Sequence, residues 1–196
     1  MKPISLTITL HSDWHIGSGQ EGGAYADSLV IKDRQQLPYI PGKSIKGLFK
    51  EALSVAFEND WFQVEGYTLD SWLACLLGEE GAGLGTEGVL SFTSAELTSA
   101  EQNYFNSKPV AKQHLYQVLH STAIDPETGV AKRTSLRGVE VVRAMTLHGS
   151  IFVEKNGTVV DSWPVEKWVA EVCPLIMSVG AKRQRGLGQA SLQVSL

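Results

Sequence analysis

Two short segments, far apart in the sequence, concentrate cations among glycines. Pro41-Gly42-Lys43-Ser44 is followed by Lys46 and Lys50. Gly180-Ala181-Lys182-Arg183-Gln184-Arg185-Gly186-Leu187-Gly188 places three cations within four residues. The first segment stands where a helical pattern starts. Backbone N–H groups and the positive dipole end attract anions there, so the lysines suit a phosphate of a nucleic-acid backbone; a solvated helix start is the plainer alternative. The cations of the second cannot be buried cheaply and face solvent or a polyanion. Its glycines let the backbone approach a ligand, although they equally suit a mere flexible turn. A third element is His15-Ile16-Gly17-Ser18-Gly19 together with Asp27. The imidazole can hydrogen-bond a phosphate or ribose, against a structural role. Asp27 sits in a glycine-flanked stretch with no helix cap or cation near it in sequence, where an aspartate is otherwise only a solubilising charge.

Two better-known patterns fail. Gly17-Ser18-Gly19-Gln20-Glu21-Gly22 spells a dinucleotide-binding fingerprint, but a helix must open at its last glycine. Here Gly23-Ala24-Tyr25-Ala26-Asp27 runs on towards a β-like stretch. Gly42-Lys43-Ser44 ends like a P-loop, yet Leu37 stands where the leading glycine belongs. No organic cofactor is expected.

The elements that must position these groups follow from periodicity. Ile4, Leu6, Ile8 and Leu10 alternate with polar residues as in a half-buried strand. From Ser44 the period becomes helical through Ile45, Leu48, Phe49, Ala52, Leu53 and Ala56, with Ser44 or Lys43 near the N-cap. A short helix over Asp70–Leu77 closes at Gly78, a loop spans 78–88, and Val89–Phe92 reads as a strand. Residues 98–144 carry few periodic apolar positions and read as an irregular insertion. Met145 to Val153 alternate again. A helix after Pro164 extends through Val179 to Gly180, and Leu192, Val194 and Leu196 form the last strand. The order strand, helix, strand, strand, helix, strand is that of a ferredoxin-like α+β fold with both helices on one face of an antiparallel sheet. The expectation is a single domain over 1–196 with an insertion at 98–144.

The chain has 196 residues, 43% hydrophobic and 19% charged, enough for a packed core. No apolar run approaches the roughly 20 residues of a membrane span. The N-terminus lacks a signal-peptide pattern, and Cys75 and Cys173 read as reduced core thiols of a cytoplasmic protein. With 17 basic against 21 acidic residues, a net charge of −4 argues against a free-standing, non-specific nucleic-acid binder while leaving room for a local basic patch.

Taken in order, the motifs resemble a known family. His15-Ile16-Gly17-Ser18-Gly19, then Asp27-Ser28-Leu29-Val30-Ile31-Lys32-Asp33, then Leu37-Pro38-Tyr39-Ile40-Pro41-Gly42-Lys43-Ser44-Ile45-Lys46-Gly47 are similar to the opening of the repeat-associated mysterious protein (RAMP) superfamily. More narrowly, they resemble the repeating backbone subunit of type III CRISPR effector complexes. The similarity continues through Leu76-Leu77-Gly78, Gly88-Val89-Leu90-Ser91-Phe92, Ile124-Asp125 with Thr128–Ala131, and Arg185-Gly186-Leu187-Gly188.

The resemblance implies an RNA-recognition-type βαββαβ core with an inserted thumb and a glycine-rich loop. It implies guide-RNA contacts at His15, Lys43, Ser44, Lys46, Lys50, Lys182, Arg183, Arg185, Gly186 and Gly188. It also implies a thumb over Ile124–Val142 (Ile124, Arg133 and Val142 among its residues) that wedges between bases. Asp27 matches the aspartate on which target-RNA cleavage depends, with a divalent metal ion such as Mg2+ and attack by the ribose 2′-OH on the adjacent phosphate. Asp27 is then a base, or it positions the metal or the hydroxyl; no second metal ligand is evident. In the family a small residue and a proline often follow this aspartate, whereas Ser28-Leu29 follow it here. The implied partners are a CRISPR guide RNA, a complementary target RNA, further copies of the chain and other subunits of an antiviral complex, with no membrane. Two further readings stay within the superfamily: a purely structural subunit, and an endoribonuclease that processes guide precursors through His11 and His15. The RNA-binding reading requires the 43–50 and 182–188 segments to meet on one scaffold.

Overall fold

The computed structural model describes residues 3–62, 64–79, 87–154 and 159–195. Ile4, Leu6, Ile8 and Leu10 of β1 (Ile4–Leu10) point to one side, each at most 3% exposed, as strict alternation requires. β1 lies between β5 (Thr146–Val153) and β6 (Ala190–Ser195), and β2 (Leu90–Phe92) adds at the far edge, giving the antiparallel order β2-β5-β1-β6. This is the ferredoxin-like arrangement expected from the element order. The apolar face is covered by α1 (Gly42–Glu58) and α5 (Val165–Val172), whose Phe49, Leu53, Val169 and Val172 are fully buried. Each such side chain contributes about 1.5–3 kcal/mol of burial. α2 (Leu69–Leu77) packs beside α1, capped by Thr68 and ended at Gly78. The opposite sheet face brings Ser5, Thr7, Thr9, His148, Ser150, Ser191 and Gln193 into register. Among the described residues, no helix is long and apolar enough to cross a membrane.

Three expectations change. The long helix starts at Gly42 with Pro41 at its N-cap and no side-chain cap, so Ser44 is already in the first turn and Lys50 in the third. The helix after Pro164 stops at Val172 and tightens into a 3-10 turn over Cys173–Leu175. Pro174 lacks the N–H needed to continue it, and Ile176–Val179 run extended, bridging Ser178 to Gln189. Residues 98–144 are regular except over the long connection 122–136: α3 (Ser99–Ser107), α4 (Pro109–Gln113), and a hairpin of β3 (Tyr116–Ser121) with β4 (Arg137–Val142). The helices bury no side chain fully, Phe105 alone packing partly on the core, and so show no apolar stripe. Residues 80–86 of the expected 78–88 loop, and Leu196, lie outside the described residues.

Candidate nucleic-acid interface

The two cationic segments meet. Ser44, Gly47, Leu48 and Glu51 of α1 form one wall of an open cleft of about 420 Å³, and Val179, Gly180, Ala181 and Arg183 form the other. Arg183 crosses it to Glu51, with 3.3 Å between Nη1 and Oε2. Lys43, Lys46 and Lys50 turn into the adjoining groove of about 640 Å³ between α1 and α2, opposite Asp70 and Glu79. Gly47 lines both depressions. Lys182, Arg183 and Arg185 are exposed on a 3-10 turn that begins at left-handed Lys182 and ends at left-handed Gly186.

Glycine is required where this loop folds back. A Cβ on Gly188 (φ +72°) would stand 1.9 Å from the Val179 carbonyl oxygen, and one on Gly180 (φ +86°) would stand 2.3 Å from that of His15. The loop is pinned to residues 11–15 by N–H donation from Gly188 to the Asp13 carbonyl and from Ala181 to the His15 carbonyl, each 2.8 Å. The same short stretch pairs on its other side with β4, Trp14 and Val142 exchanging backbone bonds of 2.9 and 2.8 Å. The Asp13 carboxylate accepts a hydrogen bond from the Gln117 amide on β3 and lies 3.8 Å from Arg143. One strut therefore joins the glycine loop to the root of the hairpin.

Asp27 rests on that root. Its N–H donates to the Gly138 carbonyl (2.8 Å), and its Oδ2 accepts the Gly138 N–H (2.6 Å). Gly138 lets the loop come this close: a Cβ there would lie 3.1 Å from Val118 and 3.4 Å from the Ala26 Cα. Asp27 is exposed, and no hydrogen bond to its Oδ1 is found among the described residues. Behind it lies Glu140, 2% exposed, which binds the Asp27 loop three times and His15 once. Its carboxylate accepts the Val30 N–H (3.0 Å) and the Lys32 ammonium (2.8 Å), its N–H donates to the Ser28 carbonyl (3.0 Å), and its own carbonyl accepts from His15 Nδ1 (2.6 Å). A carbonyl only accepts, so His15 carries its proton on Nδ1, and in the neutral ring Nε2 accepts from the Ser28 hydroxyl at 3.2 Å. Lys32 also lies over the Tyr116 ring, 4.1 Å from its centroid. Burial first, then the charges of Glu140 and Asp33, push the Tyr116 phenol far above its ordinary pKa.

His15 is thus a correction to direct RNA contact: at 4% exposure, with both ring nitrogens taken by the protein, it holds β4 and the Asp27 loop together. Gly188 is buried and acts through the turn it permits. Val142 is fully buried at the hairpin root and cannot wedge between bases. Ile124 is 57% exposed and bridges Ala131 in the long connection between β3 and β4, where Arg133 is exposed too. Leu136 and Val130, 68% and 62% exposed, stand on the same excursion. His11 bonds Ser191 on β6 and shares no partner with His15.

The sequence reading missed Glu140, Lys32, Ser28 and Gly138. One signal was present: an acid inside the apolar run Gly138-Val139-Glu140-Val141-Val142 must be paired if that run is buried.

Among known proteins, the family model described as the RAMP superfamily matches residues 7–191. No curated protein matches the sequence. A chain of the type III-B Cmr-beta complex in its apo state superposes with a TM-score of 0.69 at 12% identity, covering 98% of this chain and 96% of that one. A chain of the type III-B Cmr-beta complex bound to cognate target RNA gives a TM-score of 0.68 at 12% identity, covering 99% and 97%.

Proposed function

Because the chain belongs to the RAMP superfamily, we propose that it is a guide-RNA-binding backbone subunit of a type III CRISPR effector complex that also cuts complementary target RNA through Asp27. The observation that carries the reading is the convergence of Ser44, Gly47, Gly180 and Arg183 on one cleft, with three lysines in the adjoining groove. Such a surface grips sugar and phosphate rather than base edges. The acidic net charge suits a subunit whose neighbours share the phosphate contacts.

Asp27 supplies the chemistry. Its Oδ2 is committed to the Gly138 N–H, which fixes the carboxylate and leaves Oδ1 to accept a hydrogen bond from a ribose 2′-OH. The 2′-oxygen then attacks the adjacent phosphorus as the bond to the 5′-oxygen breaks, the 2′-proton passing to Oδ1 and the leaving 5′-oxygen taking a proton from water, which yields a 2′,3′-cyclic phosphate and a 5′-hydroxyl. Among the described residues no three His, Cys, Asp or Glu side chains cluster as a metal cage. A single open carboxylate oxygen nevertheless fits Mg2+, which is commonly held by one or two carboxylates together with substrate phosphates. With the ion bound, Asp27 Oδ1 would be its ligand instead of the base, water would take the 2′-proton, and the ion would neutralise charge on the phosphate under attack.

The test uses the assembled complex and a matched target RNA. Asp27→Asn keeps an oxygen for the Gly138 N–H, so guide loading should persist while cutting stops. If every cut survives in both Asp27→Asn and Asp27→Ala, the chain is a structural subunit. If no short RNA of uniform length co-purifies with the complex, the guide-binding half of the reading fails.

A further inference from the structure

Two residues before Asp27 stands an aromatic ring that neither core nor cleft employs. Tyr25 is 53% exposed on a turn closed by N–H donation from Gly22 to the Ala26 carbonyl (2.8 Å) and from Tyr25 to the Gly22 carbonyl (3.1 Å). The turn cannot swing freely. Ala26 after it is buried against Gly138, and a Cβ on Gly22 would come within 2.9 Å of Leu29. Partial desolvation, then the nearby charge of Glu140, raise the Tyr25 pKa above the ordinary value. The flanking residues Gly23 and Ala24 are small and exposed, leaving the ring unobstructed from that side.

We propose that Tyr25 is a stacking residue that seats one unpaired base of the RNA strand beside Asp27. The proposal rests on the reading of the chain as an RNA-cutting subunit and deepens it by naming what holds the reacting nucleotide. An exposed ring on a braced turn loses little freedom on stacking, and every base offers a π-face, so the seat is tolerant of sequence. Asp27 needs a strand that comes to rest with a ribose hydroxyl at Oδ1. Ala26, packed on Gly138, and Asp27, hydrogen-bonded to it, fix the ring's turn and the carboxylate to one support, so a base on the ring sets where the sugar lies.

The experiment compares Tyr25→Ala, Tyr25→Leu and Tyr25→Phe in the assembled complex, with targets carrying one abasic residue at each position around the cut. Tyr25→Ala and Tyr25→Leu should slow cutting by about 5- to 150-fold, the rate equivalent of the ~1–3 kcal/mol a stacked base contributes. Tyr25→Phe should stay within about threefold of the parent, and guide loading should be unchanged in all three. One abasic position should reproduce the loss in the parent complex and add nothing to Tyr25→Ala. 2-Aminopurine at that position should be quenched on binding to the uncut Asp27→Ala complex and brighten when Tyr25→Ala is added, a readout that needs no cleavage. Parent-like cutting by Tyr25→Ala and Tyr25→Leu, or fluorescence indifferent to Tyr25, overturns the stacking role. Loss of cutting in Asp27→Asn alongside either result leaves the functional reading standing, so the two fail separately.

Discussion

The buried pair beneath Asp27 gives the sharpest quantitative test. Glu140 is 2% exposed and Lys32 21%, with 2.8 Å between their charged atoms. Lys32→Met leaves the carboxylate with the Val30 N–H as its remaining neutralising contact of the two. Breaking a buried pair on one side costs about 3–5 kcal/mol, and the partial exposure of Lys32 brings this to the lower end, about 3 kcal/mol. Glu140→Gln keeps the shape, but its NH2 must face either the Val30 N–H or the ammonium, two donors. Losing one charge-assisted bond there costs about 2 kcal/mol. In the double variant the amide oxygen serves Val30 and the NH2 meets an uncharged methionine. The losses then fall short of their sum by about 1–2 kcal/mol. Urea titration of the RNA-free chain measures all three. A coupling energy below about 0.5 kcal/mol, the usual additivity of independent sites, would refute the claim that this pair carries the loop. The single variants should also slow target cutting more than they weaken guide loading, because Asp27 hangs from the same loop.

Two other outcomes follow from the same structure. Burial pushes the Cys173 thiol up to about 12 from an ordinary 9.0. The folded chain therefore holds its proton where the unfolded chain has lost it, and stability falls as pH rises from about 9 to 12, by roughly 1.4 kcal/mol per unit. Denaturant midpoints across that range should flatten in Cys173→Ala once the tyrosine contribution is subtracted, and an unchanged slope would show the thiol is not responsible. Lys46→Ala should weaken loading of unrelated guides about equally and reduce the salt slope by about one. An effect that varied strongly with guide sequence would mean that Lys46 reads bases.

What the sequence disclosed depended on how each element is stabilised. β1 and α1 bury one face each, and their periods could be read directly from Ile4–Leu10 and Ile45–Ala56. α3 and α4 bury no residue fully, Phe105 alone packing partly on the core, so periodicity was silent; Thr98 with Glu101 three residues on, and Pro109 at the start of α4, were the available signs. β4 was hidden by Glu140 in its middle, a charge that is tolerable only because Lys32 and Val30 arrive from more than a hundred residues away. The cationic segments were conspicuous because glycine and charge mark them locally. That they meet at Arg183 and Glu51 is decided by the fold-back of residues 176–189 along the 11–15 stretch, which no local pattern encodes. His15 was conspicuous too, but its burial could not be foreseen without β4.

The outward sheet face, with Ser5, Thr7, Thr9, His148, Ser150, Ser191 and Gln193 in register, has a consequence of its own. RNA-recognition sheets lay nucleobases on aromatic rings at their centre; these seven positions offer hydroxyls, an imidazole and an amide instead, and the half-buried ring of Phe152 on the same face stands opposite Ser91, towards the β2 edge. Under the reading proposed above, the hold on RNA falls to the opposite flank, along the sugar and phosphate that every nucleotide shares. One polypeptide could then carry spacers of any base order without altering a residue.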